Sequence, residues 1–170
     1  NYPMFDNAKD KVVTLEDAII DCRTANGEAA YKPGDKNMGL LTAYMRTLSD
    51  GMLMNIKVEG PKAMAAYEDG KKTFFSRKGQ LNFACASCHV QNAGTRLRSE
   101  IISPAVGHAV HWPVFRGGDS LVTLQNRYVG CFKQVRAVPP AVDSTTMNDL
   151  EYFHSSLSNG LPMKASVFRK

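Results

Sequence analysis

The stretch "NFACASCHVQ", residues 82–91, decides how the rest of the chain is read, because it contains Cys85-Ala86-Ser87-Cys88-His89. Two thiols three positions apart fall on one side of a helical turn, and an imidazole follows at once. That spacing is the attachment pattern of haem c. Both thiols can reach the vinyl groups of one porphyrin as thioethers, and His89 can then offer a nitrogen to the iron. Structural zinc would want a second pair of Cys or His at ligand spacing; His108 and His111 lie well downstream without a partner cysteine. A thioredoxin-like redox pair would sit at a strand-to-helix junction in a βαβ unit, and none is visible here. The motif predicts one covalently attached haem c on this chain, held by Cys85, Cys88 and His89.

Outward from the motif, the periodic segments read as short helices. In "TLEDAIIDCRTANG" (14–27), Thr14 can cap with Asp17 as an approximate capping box. Leu15, Ala18, Ile19 and Cys22 share a face, and Gly27 can end the helix. In "NMGLLTAYMRTLSDG" (37–51), Leu41, Tyr44, Met45 and Leu48 form the expected inner face. A third helix begins at Pro61, a favoured first-turn position, with Ala63, Tyr67, Gly70 and Phe74 in register. Gly94, Pro104, Gly107, Pro113, Gly117 and Gly118 then predict a long loop. A helix after Asp119 or Ser120 would align Leu121, Leu124, Tyr128 and Cys131. The last, in "TTMNDLEYFHSSLSNG" (145–160), has Thr146 and Asp149 as a near capping box, Leu150, Phe153 and Leu157 inward, and Gly160 at its end. The best strand signal is "MNIKVEG" (54–60), and it is short.

These elements predict an all-α fold with a seam just before Pro61. Residues 59–170 would form a cytochrome c-like haem domain. Residues 1–58, with two helices and no haem motif, would form a smaller, incomplete cytochrome c-like domain. That part is thin for an independent core and must pack on the haem domain or on something outside this chain.

The chain has 21 Lys+Arg against 16 Asp+Glu, a formal net charge of +5. The basic residues (Lys71-Lys72, Arg77-Lys78, Arg96, Arg98, Lys133, Arg136) are scattered, which argues against nucleic-acid binding and suits small anions or an acidic protein partner. No apolar run approaches the ~18–20 residues needed to span a bilayer. Thioether attachment in bacteria implies assembly outside the cytoplasm, so a periplasmic location is expected. An N-terminal residue other than Met is consistent with a cleaved export signal.

The residue facing the other side of the iron would set the chemistry. Met147 and Met163 are the methionines downstream of the motif. His108, His111 and His154 read more simply as satisfied or surface histidines. Cys131 is the remaining candidate, with the buried structural cysteine as its ordinary reading. Arg127 lies at i−4 to Cys131, so both project from one helical face; its own ordinary reading is a solvated arginine. A guanidinium there would lower the thiol pKa and favour thiolate, and it would also form an anion site, with Lys133 or Arg136 as possible helpers.

The stretch "NRYVGCFKQVRAVPP" (126–140) after "CASCH" resembles the SoxA family, the larger subunits of the SoxAX cytochromes of bacterial thiosulfate oxidation. "VTLEDAIIDCR", "LLTAYMRTLSDGM", "YEDGKKTFFSRKGQLNFACASCH", "HWPVFR" and "GLPM" agree in order, so the resemblance covers nearly all of the chain. It implies two cytochrome c-like domains, the second with the active-site haem, His89 as proximal and Cys131 as distal ligand. In the family that cysteine can be a persulfide, and Arg127 matches the active-site arginine. It also implies oxidative coupling of thiosulfate to a cysteine of the SoxYZ carrier protein, with electrons leaving to SoxX, the small partner cytochrome. The alternatives are a thiosulfate dehydrogenase forming tetrathionate, a plain electron-transfer cytochrome c, and a non-catalytic assembly subunit. The family's first domain opens with either another haem motif or a cysteine that pairs with the residue matching Cys22, and this chain shows neither. Cys22 is then a free buried thiol, half of a disulfide to an absent segment, or a ligand to an absent first haem.

Overall fold

The computed structural model describes residues 2–97, 99–118, 120–165 and 167–169. Arg98 and Asp119, named above as a scattered basic residue and a helix start, lie outside the described residues. An antiparallel hairpin comes first, β1 (Met4–Asp6) with β2 (Lys11–Val13). Helices α1 (Leu15–Ala25), α2 (Lys36–Thr47), α3 (Pro61–Phe75) and the single turn α4 (Cys85–His89) follow. A two-residue hairpin, β3 (Arg96–Leu97) with β4 (Glu100–Ile101), and a 3-10 turn at Ala109–His111 lie in the predicted loop. Next are β5 (Val114–Arg116), β6 (Leu121–Val122), α5 (Leu124–Gln134), α6 (Thr145–Ser156) and β7 (Phe168–Arg169). Strand β5 pairs antiparallel with β6 and parallel with β7.

Helices dominate, but three small sheets correct the all-α expectation. Strands of two or three residues are too short for alternation to register. The anticipated strand at 54–60 is absent as a strand. That segment runs extended beside residues 159–163, joined by Met54 N to Leu161 O at 2.9 Å, Gly160 N to Met54 O at 2.9 Å and Ile56 N to Asn159 Oδ1 at 2.7 Å.

Local rules set most helix ends. Thr14 and Asp17 form the expected reciprocal capping box, and Pro61 opens α3. Helix α5 starts later than predicted: Thr123 accepts from Asn126 N as its cap, and Leu121 belongs to β6. Helix α6 is capped by Ser144, which accepts from Met147 N, rather than by Thr146. The inner face of α2 is also corrected. Met38, Gly39, Thr42 and Ala43 are buried, whereas Tyr44 (62%), Met45 (39%) and Leu48 (65%) are exposed. The small residues allow close approach, with Gly39 seated against Leu121 and Thr123.

Helix α6 is the central element, buried from Met147 to Ser155. On one side it meets α3, where a Cβ on Gly70 would stand 1.9 Å from Asp149 O. Tyr67 and Phe74 pack on Phe153 there, with ring centroids at 5.2 and 5.4 Å. On the other side Asn148 and Glu151 meet the first two helices. Glu151, Glu16 and Arg46 line a cavity of ≈ 20 Å³ together with Thr42, Trp112 and Thr123. One apolar cluster contains Val12, Met54 and Ile56 as well as Phe74, Trp112, Tyr128, Leu150 and Phe153, so residues from both sides of Pro61 share a core.

Candidate haem site

Helix α4 is one turn long, and its sequence supplies its own ends. Ser87 Oγ accepts from Ala84 N at 3.1 Å at the start. Asn92 Nδ2 donates to Ser87 O at 2.7 Å at the end. A close approach holds the turn before it: a Cβ on Gly79, whose φ is +71°, would lie 2.1 Å from Val135 O. This ties residues 78–83 to the C-terminal end of α5. The helical turn leaves Cys85 and Cys88 on one side, both half-buried free thiols.

His89 is fixed by the loop that follows. Its Nδ1 lies 2.8 Å from Ser103 O. A carbonyl only accepts, so Nδ1 carries the hydrogen and Nε2 keeps its lone pair, the tautomer that an iron ligand requires. Ala105 N donates back to His89 O at 2.9 Å. Burial pulls the imidazole pKa below its ordinary value, the Ser103 bond raises it, and the Arg127 charge lowers it. Apolar side chains beside the motif, Leu81, Phe83 and Val90, are exposed. Two free thiols, an oriented imidazole and adjacent apolar surface fit the requirements of haem c.

Helix α5 brings Cys131 to the same place. Its thiol feels Cys88, Arg127 and Arg116, and Cys85 in turn feels Cys131. Cys131 thus lies near enough to act on Cys85 and to be acted on by Cys88 and Arg127, and Arg127 also acts on His89. The expected direction of the thiol pKa is corrected. Burial pushes Cys131 up and outweighs the downward pull of Arg127 and Arg116. Burial likewise pushes Cys85 up to about 11, against the charge of Lys78.

Arg116 is a further cation that acts on Cys131, one that sequence reading did not single out. It closes "HWPVFR" at the end of β5, and its Nη2 lies 3.4 Å from Glu100 Oε1. The suggested helpers are elsewhere: Lys133 is exposed, and Arg136 reaches Gln80 Oε1 at 3.5 Å. Ser103 acts through its backbone carbonyl, which no side-chain pattern could reveal.

The other ligand candidates have different employment. Met163 Sδ accepts from Arg46 Nη1 at 3.4 Å. Met147 is fully buried in the apolar core. The four histidines form one buried or half-buried group rather than surface residues. His108 packs on His89 and His154 at 5.0 and 5.1 Å between ring centroids, and His111 stacks on Trp112 at 6.1 Å. Tyr128 Oη lies 2.7 Å from His154 Nδ1. Burial, helped by the His89 charge, drives the His154 pKa down to about 3. Cys22 is exposed and unbonded, with Asn26 Nδ2 at 3.8 Å from its sulfur. Its reading as a buried thiol is corrected.

Comparison with known proteins finds relatives along the whole chain. A family model described as the SoxA/TsdA cytochrome c domain matches residues 1–54, a stretch that ends before the Cys85–His89 motif. The SoxA subunit of the L-cysteine S-thiosulfotransferase of Chlorobaculum tepidum is 44% identical over 170 residues, covering 99% of this chain and 59% of the relative. That of Allochromatium vinosum is 42% identical over 173 residues, covering 100% of this chain and 62% of the relative. Over its whole length the chain is a homologue of SoxA. The crystal structure of SoxXA from P. pantotrophus superposes with a TM-score of 0.91 at 32% identity, covering 99% of this chain and 64% of that one. The chain thus spans about three-fifths of the length of these SoxA relatives. The cytochrome c domain that the family model describes implies haem c. Among the described residues, no helix is long and apolar enough to cross a membrane.

Proposed function

We propose that this chain carries the catalytic haem c site of a periplasmic thiosulfate-oxidising cytochrome, acting as an L-cysteine S-thiosulfotransferase. In this reading Cys85 and Cys88 would attach a single haem, and His89 and Cys131 would hold its iron. Residues 59–170 form the haem domain, and residues 1–58 form part of a second cytochrome c-like domain without a haem motif. One observation carries the reading: the Cys85–His89 turn sets two free thiols beside an imidazole whose Nδ1 is held 2.8 Å from Ser103 O, leaving Nε2 open.

The reaction joins the terminal sulfur of thiosulfate to a thiol of a SoxYZ-like carrier. A sulfur–sulfur bond forms, the thiol proton leaves, and two electrons are released. The haem, when bound, supplies the outlet for those electrons toward a SoxX-like partner. Arg127 binds the dianion through charge-assisted hydrogen bonds and offsets its charge beside the reacting sulfur. Cys131 presents sulfur to the anion from the face of α5 that carries Arg127. Thiolate ligation would hold the potential below that of a Met-ligated haem. Engagement of Met163 by Arg46 speaks against the plain electron carrier.

The test uses the full-length protein with its partner cytochrome, carrier and thiosulfate. Arg127→Ala is expected to lower turnover by ~10²–10³-fold, the range for removing one donor to a developing anion, with the haem spectrum unchanged. Cys131→Met is expected to keep the haem and abolish low-spin thiolate signals in electron paramagnetic resonance. Unchanged turnover in Arg127→Ala would overturn the reading, and tetrathionate formed without any carrier would redirect it to thiosulfate dehydrogenase chemistry.

A further inference from the structure

We propose that Glu16, Arg46, Trp112 and Glu151 form a buried site for one bound water molecule, which joins the first two helices to α6 and to the loop behind His89. The site lies apart from the residues assigned above, and it holds whether or not that functional assignment does.

Four segments meet here. Glu16 comes from α1, Arg46 from α2, Glu151 from α6, and Trp112 follows the 3-10 turn. With Thr42 and Thr123 they line a cavity of ≈ 20 Å³. A water needs roughly 10–15 Å³ of such space, so the volume takes one. The indole Nε1 of Trp112 and the guanidinium Nε of Arg46 are both buried, and among the described residues neither has a hydrogen-bond partner. Trp112 as a whole is only 5% exposed. Native structures rarely leave buried donors unpaired, because the lost solvation is not recovered. Glu16 and Glu151 supply acceptors. Gly34 N donates to Glu16 Oε2 and Gln125 Nε2 donates to Glu151 Oε2, each at 3.0 Å, and an ionised carboxyl has about four acceptor positions. Yet among the described residues no ion pair joins Arg46 to either glutamate. A guanidinium and two carboxyls that share a cavity without pairing require something between them, since a bare gap would leave the charge neither solvated nor paired.

The partners select the ligand. An anion would suit Trp112 and Arg46 but would face two carboxyls. A cation would suit the glutamates but would face a guanidinium and an indole N–H. A neutral molecule that both donates and accepts suits all four, and water is the one that fits the volume. Water also serves the acids in either state, donating to a carboxylate and accepting from a carboxylic acid; burial raises the pKa of both. The consequence is positional. Trp112 stands edge-on to His108 at 5.8 Å, and His108 packs on His89 at 5.0 Å between ring centroids. Through Trp112 the water braces the layer of rings behind His89, and it does so from helices that precede Pro61.

The experiment uses the full-length haem protein. Its crystal structure is expected to show one water at ~2.7–3.2 Å from Trp112 Nε1 or Arg46 Nε and from a carboxyl oxygen of Glu16 or Glu151. Nuclear magnetic resonance of the reduced protein tests the same site in solution. Trp112 is the one tryptophan of these 170 residues, and Trp112→Phe assigns its indole signal. That N–H is expected to cross-relax with water with the sign of a long-lived bound molecule. Glu151→Gln, which keeps an acceptor, is expected to retain the cross-peak, and Glu151→Leu is expected to lose it. Should Glu151→Leu not fold, the two wild-type measurements decide. A direct bond from Trp112 or Arg46 to a glutamate would overturn the inference, as would a haem carboxylate seated in the cavity. Bromide or rubidium located there by anomalous scattering in soaked crystals would overturn it too, as would an indole signal with no water cross-relaxation.

Discussion

Helix α6 meets the molecule on two sides built from opposite chemistry. Toward α3 it is dry and tight. Phe153 sits among Tyr67, Phe74 and Phe75, and Gly70 lets the two backbones touch. Toward α1, α2 and α5 it is polar. Asn148 accepts from Gln125 at 2.8 Å and donates toward Asp17 and Asp143 at 3.3 and 3.2 Å. Glu151 accepts from the same Gln125 at 3.0 Å and is attracted by Arg46. The contrast teaches what each side tolerates. The dry side has no room for one more carbon, and the polar side cannot lose a partner without leaving a buried polar group unpaired.

The largest expected effect breaks the dry side. In Gly70→Ala the added methyl would meet Asp149 O at 1.9 Å and Phe153 Cβ at 3.0 Å. Backbone cannot swing away as a side-chain tip can, so α3 must shift off α6. A loss of about 3 kcal/mol or more is expected from this overpacking, read from the denaturant midpoint of the haem protein. A loss below about 1 kcal/mol would mean that the interface is softer than its geometry.

A smaller effect tests the polar side. Burial and the neighbouring Asp17 push the Asp143 carboxyl up to about 6. The Asn148 amide donates to both carboxyls, which keeps them together. Asn148→Ala is expected to cost roughly 1–3 kcal/mol, and the same chemical-denaturation curve measures it. A neutral outcome would show that the two carboxyls manage without it.

The contrast also explains how much could be read from the sequence. Leu150 and Phe153 announce themselves because apolar residues three apart mark a buried stripe. Asn148, Glu151 and Asp149 are equally buried, and no periodicity rule finds a buried acid, because its partners come from distant segments. The outward Tyr44, Met45 and Leu48 failed for a related reason: periodicity favours large apolar residues, whereas α2 packs through Gly39, Thr42 and Ala43. At the candidate site, Cys85, Cys88 and His89 stand out in the sequence because their spacing is local to one turn, and Arg127 because of its spacing to Cys131; their roles are those proposed above. No local pattern reveals the pairing of Arg116 with Glu100 or the donation of Arg46 to the Met163 sulfur.

An effect of similar size appears only as a slope against pH. Burial first, and Glu16 second, raise the Glu151 carboxyl from an ordinary 4.5 to about 7, against the pull of Gln125 and Arg46. The unfolded chain ionises this acid near pH 4.5, while the folded chain keeps its proton until about pH 7. Between those values the folded state binds more protons, so stability falls as pH rises through this window and flattens above it. Glu151→Gln keeps the shape without the ionisation and is expected to remove on the order of 1–3 kcal/mol of that fall. Asp149, raised to about 6 by burial and Asp69, tilts stability in the same direction and is present in both proteins. The difference between the two pH profiles therefore isolates Glu151. Superimposable profiles would place its ionisation outside this window, with Arg46 compensating the charge more fully than burial opposes it.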